Sequence, residues 1–190
     1  TNPFLQKYLY QQADAIQSIE RAVCPKLALN VMMSEIDADR LQQLAPAAHT
    51  FVAPNGVDLD KIRPLPHIPI VKDRVVFLGP SYMLPNRDGI EWFLRDVWPS
   101  VRALRPEATF QILGKVADAH RRAFEAAPAV TCRGFVPDLQ LALAEAACCV
   151  VPLRIGGGTR LKVLDSWAMA RPIVSTSIGA EGLDTQDGVN

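Results

Sequence analysis

The chain has 190 residues, of which 49% are hydrophobic and 21% charged, a composition typical of a globular chain of one or two domains and not of a disordered one. Lys and Arg balance Asp and Glu, so the formal net charge is zero and the sequence pI is about 6.8. The chain therefore lacks the excess of positive charge that would indicate nucleic acid or an anionic membrane as its main partner. We expect a small ligand instead.

The four cysteines, Cys24, Cys132, Cys148 and Cys149, form no C-x-x-C spacing and have no histidine at metal-ligand spacing. This pattern predicts buried, reduced thiols in a cytoplasmic protein, without a metal site.

No apolar run approaches the roughly 20 residues that span a bilayer. The chain begins without methionine and stops just after a predicted strand, so we expect a piece of a longer protein. Peripheral association of that parent with the inner face of a membrane stays open.

Residues 1–58 are predicted to be the tail of one α/β domain, because they alternate helix and strand without completing a sheet. The next segment, Pro54-Asn55-Gly56-Val57-Asp58, has the residue types of a turn. Three prolines within 59–72 exclude a helix there, and we predict an interdomain linker. The predicted helices of this part are 4–23 and 35–45, the second with Ser34 as N-cap, and the predicted strands are 28–33 and 51–53.

Residues 73–190 are predicted to form a second domain in which strands and helices alternate regularly. The predicted strands are 75–79, 109–113, 130–133, 148–152 and 172–176, and the predicted helices are 87–104, 117–127, 138–147 and 159–170. Strands such as Val75-Val76-Phe77-Leu78 are apolar on both faces, which is typical of a parallel sheet covered on both sides. We therefore predict a doubly wound α/β fold with a ligand site beyond the carboxyl ends of its strands.

A glycine loop lies between the fourth of these strands and the helix that follows it. Gly156, Gly157 and Gly158 allow the backbone to approach a ligand closely, and the amino end of a helix attracts anions. Arg160 and Lys162 place positive charge where the helix dipole disfavours it, a cost that an anionic ligand would offset. The pattern indicates phosphate binding, and the alternative is a tight turn whose glycines serve only packing.

Other polar residues give weaker signals. Arg87 follows another strand end, where it either begins a solvated helix, with Asn86 as its N-cap, or reaches a ligand. The three histidines, His49, His67 and His120, are scattered and are predicted to lie on the surface or in the linker.

Four motifs in order resemble those of the GT-B glycosyltransferases of the group-1 (family 4) kind. The run from Pro152 to Thr176 is similar to the donor-binding signature P-L-R-x-G-x-G-x-x-x-K-V-L-E-A-M-A-x-G-x-P-V-V. The resemblance also covers the P-N-G-V-D segment and Gly134-Phe135-Val136-Pro137-Asp138. It further covers the first strand and loop of the second domain, from Phe77-Leu78-Gly79 through Asn86-x-Asp88-Gly89.

The resemblance implies two Rossmann-like domains facing across a cleft, and transfer of a sugar from a nucleotide diphosphate sugar to a saccharide or glycoconjugate acceptor, with retention and without a metal or cofactor. It implies that Lys162 or Arg160 neutralises the leaving phosphate and that Asp165 binds the ribose. It also implies that the nucleotide and its phosphates contact the loop residues Gly79, Arg87, Phe135, Val136, Gly156, Gly157, Gly158 and Thr159.

The chain departs from the family pattern at several positions. Gly157 stands where many members have a glutamate that contacts the donor sugar, Pro80 follows Gly79 in place of arginine, and Arg171 replaces a glycine. We expect a glycosyltransferase piece that is inactive alone. The alternatives are a nucleotide-sugar epimerase of related fold and a non-catalytic, flavodoxin-like binding module.

Overall fold

The computed structural model describes residues 3–189 and divides into two compact units, Thr1–Asn55 and Gly56–Asn190. In the first unit, strands β1 (Asn30–Met32) and β2 (Thr50–Val52) pair in parallel, and helices α1 (Pro3–Val23) and α2 (Glu35–Leu44) accompany them. The hydroxyl of Ser34 accepts a hydrogen bond from the Asp37 amide at 3.2 Å, as the N-cap prediction requires.

The second unit is built on a five-stranded parallel sheet in the order β5-β4-β3-β6-β7. Its strands are β3 (Arg74–Leu78), β4 (Thr109–Leu113), β5 (Val130–Gly134), β6 (Cys148–Val151) and β7 (Ile173–Ser175). The connecting helices are α3 (Leu84–Trp92), α4 (Trp98–Leu104), α5 (Asp118–Glu125), α6 (Leu139–Ala144) and α7 (Leu161–Ala168). Each predicted strand and helix of this unit is present, with its ends shifted by a few residues.

The sheet has a hydrophobic core on each face, because successive residues of a strand point to opposite sides. Val75 and Phe77 of β3 join a cluster with Trp98 and Phe110, whereas Val76 joins Leu143 and other residues on the other face. This arrangement confirms the predicted doubly wound α/β fold. Among the described residues, no helix combines the length and the apolar character needed to cross a membrane.

The predicted helix 87–104 is three consecutive helical segments. It begins earlier, at Leu84, and a π-helical turn, Phe93–Val97, separates α3 from α4. Pro99 lies in the first turn of α4, where it has no amide hydrogen to donate to the preceding turn. The π-helical turn therefore lies just before the residue that lacks the donor.

The segment predicted as a linker packs on the second unit. Ile62, Leu65 and Ile68 lie against the core cluster that contains Leu143, and the Val71 amide donates to the Glu145 carbonyl at 2.9 Å. The boundaries that we drew at 58 and 73 remain predictions.

The four cysteines are free thiols; Cys132 and Cys149 are buried as predicted, whereas Cys24 and Cys148 are half-buried. Burial raises the pKa of Cys132 and Cys149 to about 11. We therefore expect both thiols to resist alkylation in the folded protein at pH 8, since the reactive thiolate is scarce. Mass spectrometry after a timed iodoacetamide pulse measures this, with the urea-unfolded chain as control, where all four cysteines should react. Rapid labelling of Cys149 in the folded chain would contradict the expectation.

Candidate functional site

The strand order changes direction at the neighbouring strands β3 and β6, because the chain runs from β3 through β4 to β5 on one side and then returns to place β6 on the other side of β3. Strand β3 lies between β4 and β6, so the connections that leave β3 and β6 diverge to opposite sides. In an open parallel sheet this switch point forms a crevice at the carboxyl ends of the strands. The loop after β3 and the glycine loop after β6 both begin there.

The glycine loop is anchored at both ends and open in the middle. Leu153 before it and Val163 after it are buried in one apolar cluster. Gly156 and Gly158 have φ values of 117° and 80°, which other residues rarely adopt. A Cβ at Gly157 or Gly158 would meet no atom within 4 Å. Within residues 3–189 the backbone amides of Gly157 and Gly158 have no hydrogen-bond partner. The loop therefore presents free donors on an open face.

Arg160 is the N-cap residue of α7 and closes the loop. One of its terminal nitrogens, Nη1, donates to the Gly157 carbonyl at 2.6 Å. Its other two nitrogens, Nε and Nη2, are buried without a partner among the described residues. Unsatisfied buried donors on a charged group are costly, so this guanidinium has unused capacity for an anionic ligand.

Lys162 lies in the first turn of α7 and reaches back under the loop after β3. Its ammonium donates to Asn86 Oδ1 at 2.9 Å and lies 4.4 Å from the centre of the Phe77 ring. Burial, and secondarily the charge of Arg160, lowers the pKa of Lys162 to about 8. Neither Lys162 nor Arg160 pairs with a carboxylate within residues 3–189.

The prediction that Asn86 is a helix N-cap is wrong. Helix α3 begins at Leu84 with Met83 as its N-cap, because Pro85 is well suited to the first helical turn. The Asn86 side chain is buried inside that turn, where its Nδ2 donates to the Pro80 carbonyl at 3.0 Å. Its Oδ1 thereby faces Lys162.

Gly79 lies directly against this pair. A Cβ at position 79 would be 2.7 Å from Asn86 Nδ2 and 2.8 Å from Lys162 Nζ, and the φ of Gly79 is 148°. No side chain fits there without displacing the lysine. The sequence prediction that Gly79 belongs to the site is thus consistent with its contacts, although its role toward a nucleotide remains a prediction.

An ion pair connects the glycine loop to α3. Arg154 donates to Asp88 from Nε at 3.0 Å and from Nη2 at 2.6 Å, and its guanidinium carbon lies 5.8 Å from the centre of the Trp92 ring. Bidentate geometry makes this pair more specific than most exposed ion pairs. It fixes the start of the glycine loop relative to the helix that carries Asn86.

His120 is half-buried, whereas the sequence predicted a position on the surface or in the linker. Its Nδ1 lies 3.0 Å from the hydroxyl of Ser81, which is fully buried and also accepts from the Ala117 amide at 3.2 Å. The pair ties the loop after β3 to the loop after β4. Sequence reasoning missed it because the two residues are 39 positions apart.

The remaining predicted residues are distributed around the same edge of the sheet. Asp165 is half-buried on α7, and burial raises its pKa. Phe135 is 74% exposed after β5, while Val136 packs against the core. Arg87 has its Nε 4.0 Å from Glu91 Oε1, and Thr159 is half-buried. The contacts of these side chains leave their predicted roles open.

The topology and the loop at the switch point define a Rossmann-like α/β domain with a candidate anion site. Residues 72–190 match the model of the family described as Glycosyl transferases group 1. The chain belongs to this family.

One curated relative and several solved structures are similar to this chain. An uncharacterized 44.6 kDa protein in the cps region of Klebsiella pneumoniae is 29% identical over 123 residues, which are 60% of this chain and 31% of that protein. Sucrose-phosphate synthase from Thermosynechococcus elongatus superposes with a TM-score of 0.70 at 19% identity, covering 88% of this chain and 45% of that one. Anabaena HepE in complex with UDP and glucose superposes with a TM-score of 0.64 at 14% identity, covering 84% and 47%.

Proposed function

We propose that this chain binds the donor of a glycosyltransferase, a nucleotide diphosphate sugar, at the glycine loop. The observation that carries the proposal is the combination of free loop amides with two cations that lack carboxylate partners within residues 3–189. A diphosphate supplies acceptors for those amides and negative charge for Arg160 and Lys162.

The whole protein is proposed to transfer the sugar to a saccharide or glycoconjugate acceptor with retention at the anomeric carbon. The chain spans 31% of its Klebsiella relative and 45% of sucrose-phosphate synthase, so transfer is assigned to the longer protein. We expect this chain alone to bind the donor without transferring the sugar.

Each part of the donor has a proposed partner. The amides of Gly157, Gly158 and Thr159 bind the diphosphate, and Lys162 and Arg160 stabilise the charge that develops on the leaving phosphate. Asp165 accepts hydrogen bonds from the ribose hydroxyls. The backbone of Phe135 and Val136 holds the base.

The free thiols support a cytoplasmic location.

Binding is tested by titration calorimetry of the protein with UDP, GDP and TDP at pH 7, with the corresponding nucleosides as controls. UDP is the first choice because the HepE structure contains it. We expect one diphosphate to bind and its nucleoside to bind far more weakly. If none of the three binds, the proposal is wrong and a flavodoxin-like module without a nucleotide becomes the better account.

Transfer is tested in the longer protein by following the anomeric proton of the product by NMR. Retention predicts that the new glycosidic bond has the configuration of the donor. Conversion of the donor to an isomeric nucleotide sugar in the absence of any acceptor would instead identify an epimerase.

A further inference from the structure

We propose that Asn86 is the positioning residue of Lys162, holding its ammonium at the switch point where the diphosphate binds. The inference rests on the proposed function and gives a role toward the ligand site to a residue that the sequence suggested only as a helix N-cap.

The contacts of Asn86 fix the orientation of its side-chain amide. Its Nδ2 donates to the Pro80 carbonyl at 3.0 Å, which leaves Oδ1 as the atom directed at Lys162 Nζ, 2.9 Å away. The residue is buried, and the backbone of Gly79 lies against both partners. The amide therefore has little freedom to turn, and the lysine has one acceptor in a defined place.

The chemistry of an amide suits this task better than that of a carboxylate. An amide oxygen accepts a hydrogen bond from the ammonium without neutralising it. A carboxylate at the same place would form an ion pair and would also repel a diphosphate. Because Lys162 has no carboxylate partner within residues 3–189, its full positive charge stays available to a ligand.

The position of Asn86 also explains how the two loops at the switch point act together. Asn86 lies on α3 after β3, and Lys162 lies on α7 after the glycine loop, 76 residues later. Their hydrogen bond joins the two connections at the switch point. Loss of the amide would release a long, flexible side chain, whose ordering the ligand would then have to supply.

The inference is tested with Asn86→Asp and Asn86→Ala, and with Asn30→Ala as the matched control. Asn30 is also a buried asparagine, donating to the carbonyls of Cys24 and His49 at 3.0 Å each, but it lies in the first unit and has no lysine partner. All three variants should lower Tm, so a loss of stability alone does not distinguish them.

The first measurement is the titration of Lys162, followed by NMR of lysine labelled at its side-chain nitrogen and assigned from the Lys162→Arg spectrum. In Asn86→Asp the titration midpoint should rise by about one to three pH units, because a carboxylate beside the ammonium favours its charged form. Asn30→Ala should leave the midpoint in place. An unchanged midpoint in Asn86→Asp would overturn the inference.

The second measurement is the affinity for UDP and for inorganic pyrophosphate at pH 7. Pyrophosphate is included because it has no base, so its binding reports on the phosphate contacts alone. Asn86→Ala and Asn86→Asp should each bind both probes at least about tenfold more weakly, whereas Asn30→Ala should bind them normally. Normal binding by both Asn86 variants, together with a lower Tm, would show that Asn86 only stabilises the fold.

Failure of the proposed function and failure of the inferred role of Asn86 give different results. If the unmodified protein binds neither UDP nor pyrophosphate, the proposed function is overturned, and the role of Asn86 in it is overturned as well. This holds even if the titration midpoint of Lys162 moves as expected. If the protein binds both probes but the Asn86 variants behave like Asn30→Ala, the positioning role alone is overturned.

Discussion

Replacing Lys162 by alanine should weaken the binding of a nucleoside diphosphate at pH 7 by about 10- to 100-fold. The magnitude follows from the loss of one charge-assisted hydrogen bond to phosphate, which contributes about 1.5–3 kcal/mol. The ammonium is held by Asn86 and has no carboxylate partner within residues 3–189, so little of its charge is neutralised before the ligand arrives. Calorimetry with whichever of UDP, GDP and TDP binds measures the change.

The same lysine should make binding depend on pH. The pKa of Lys162 is lowered to about 8, and a bound diphosphate favours the ammonium, so binding takes up a proton where the free lysine is neutral. Affinity should therefore be highest below about pH 8 and fall as pH rises above it. This fall should be absent from Lys162→Ala, which has no group to protonate at that position.

Lys72→Ala is the matched control for both measurements. It removes the same charge from an exposed residue just before β3, at the opposite edge of the sheet from the glycine loop. Affinity and its pH dependence should match those of the unmodified protein. If Lys72→Ala and Lys162→Ala weaken binding equally, the effect is one of net charge and the assigned contact is wrong.

Replacing Gly89 by alanine should destabilise the protein by about 1–3 kcal/mol and weaken diphosphate binding as well. A Cβ at position 89 would lie 2.6 Å from the Pro152 carbonyl oxygen and 3.2 Å from its carbon. Both are backbone atoms, so either α3 or the start of the glycine loop has to move. Alanine also improves helix propensity by about 1 kcal/mol, but we expect the collision to outweigh this gain.

Thermal unfolding followed by circular dichroism measures the effect, which for a chain of this size corresponds to a loss of roughly 3 to 10 °C in Tm. Gly56→Ala is the control, since a Cβ at position 56 meets no atom within 4 Å. This variant should keep or slightly raise the Tm, because alanine restricts the unfolded chain. A Gly89→Ala protein as stable as Gly56→Ala would show that α3 does not pack as closely on Pro152 as described.

Gly89→Ala and Lys162→Ala test different parts of the same site. The lysine variant removes the charge and the hydrogen bond to Asn86 but forces no backbone to move, so binding should fall strongly and Tm should fall less than in Gly89→Ala. The glycine variant displaces the helix that carries Asn86 and Asp88, so stability and binding should fall together.

The amino-acid sequence by itself determined the fold class and the place of the glycine loop. Runs that are apolar on both faces, such as Val75 to Leu78, are typical of a strand covered on both sides, and regular alternation with helices favours parallel pairing. The loop was recognisable because Gly156 to Gly158, Arg160 and Lys162 are adjacent in sequence. Local propensity and periodicity act over a few residues, which is the range that a sequence displays.

Only the tertiary structure decided which side chains meet. The hydrogen bond between Asn86 and Lys162, the Arg154–Asp88 pair and the contact of Ser81 with His120 join residues 39 to 76 positions apart. Local signals assigned Asn86 to a helix cap and His120 to the surface, since both types favour such places. Their actual partners follow from strand order, which brings β3 beside both β4 and β6 and so brings the loops after these strands into contact.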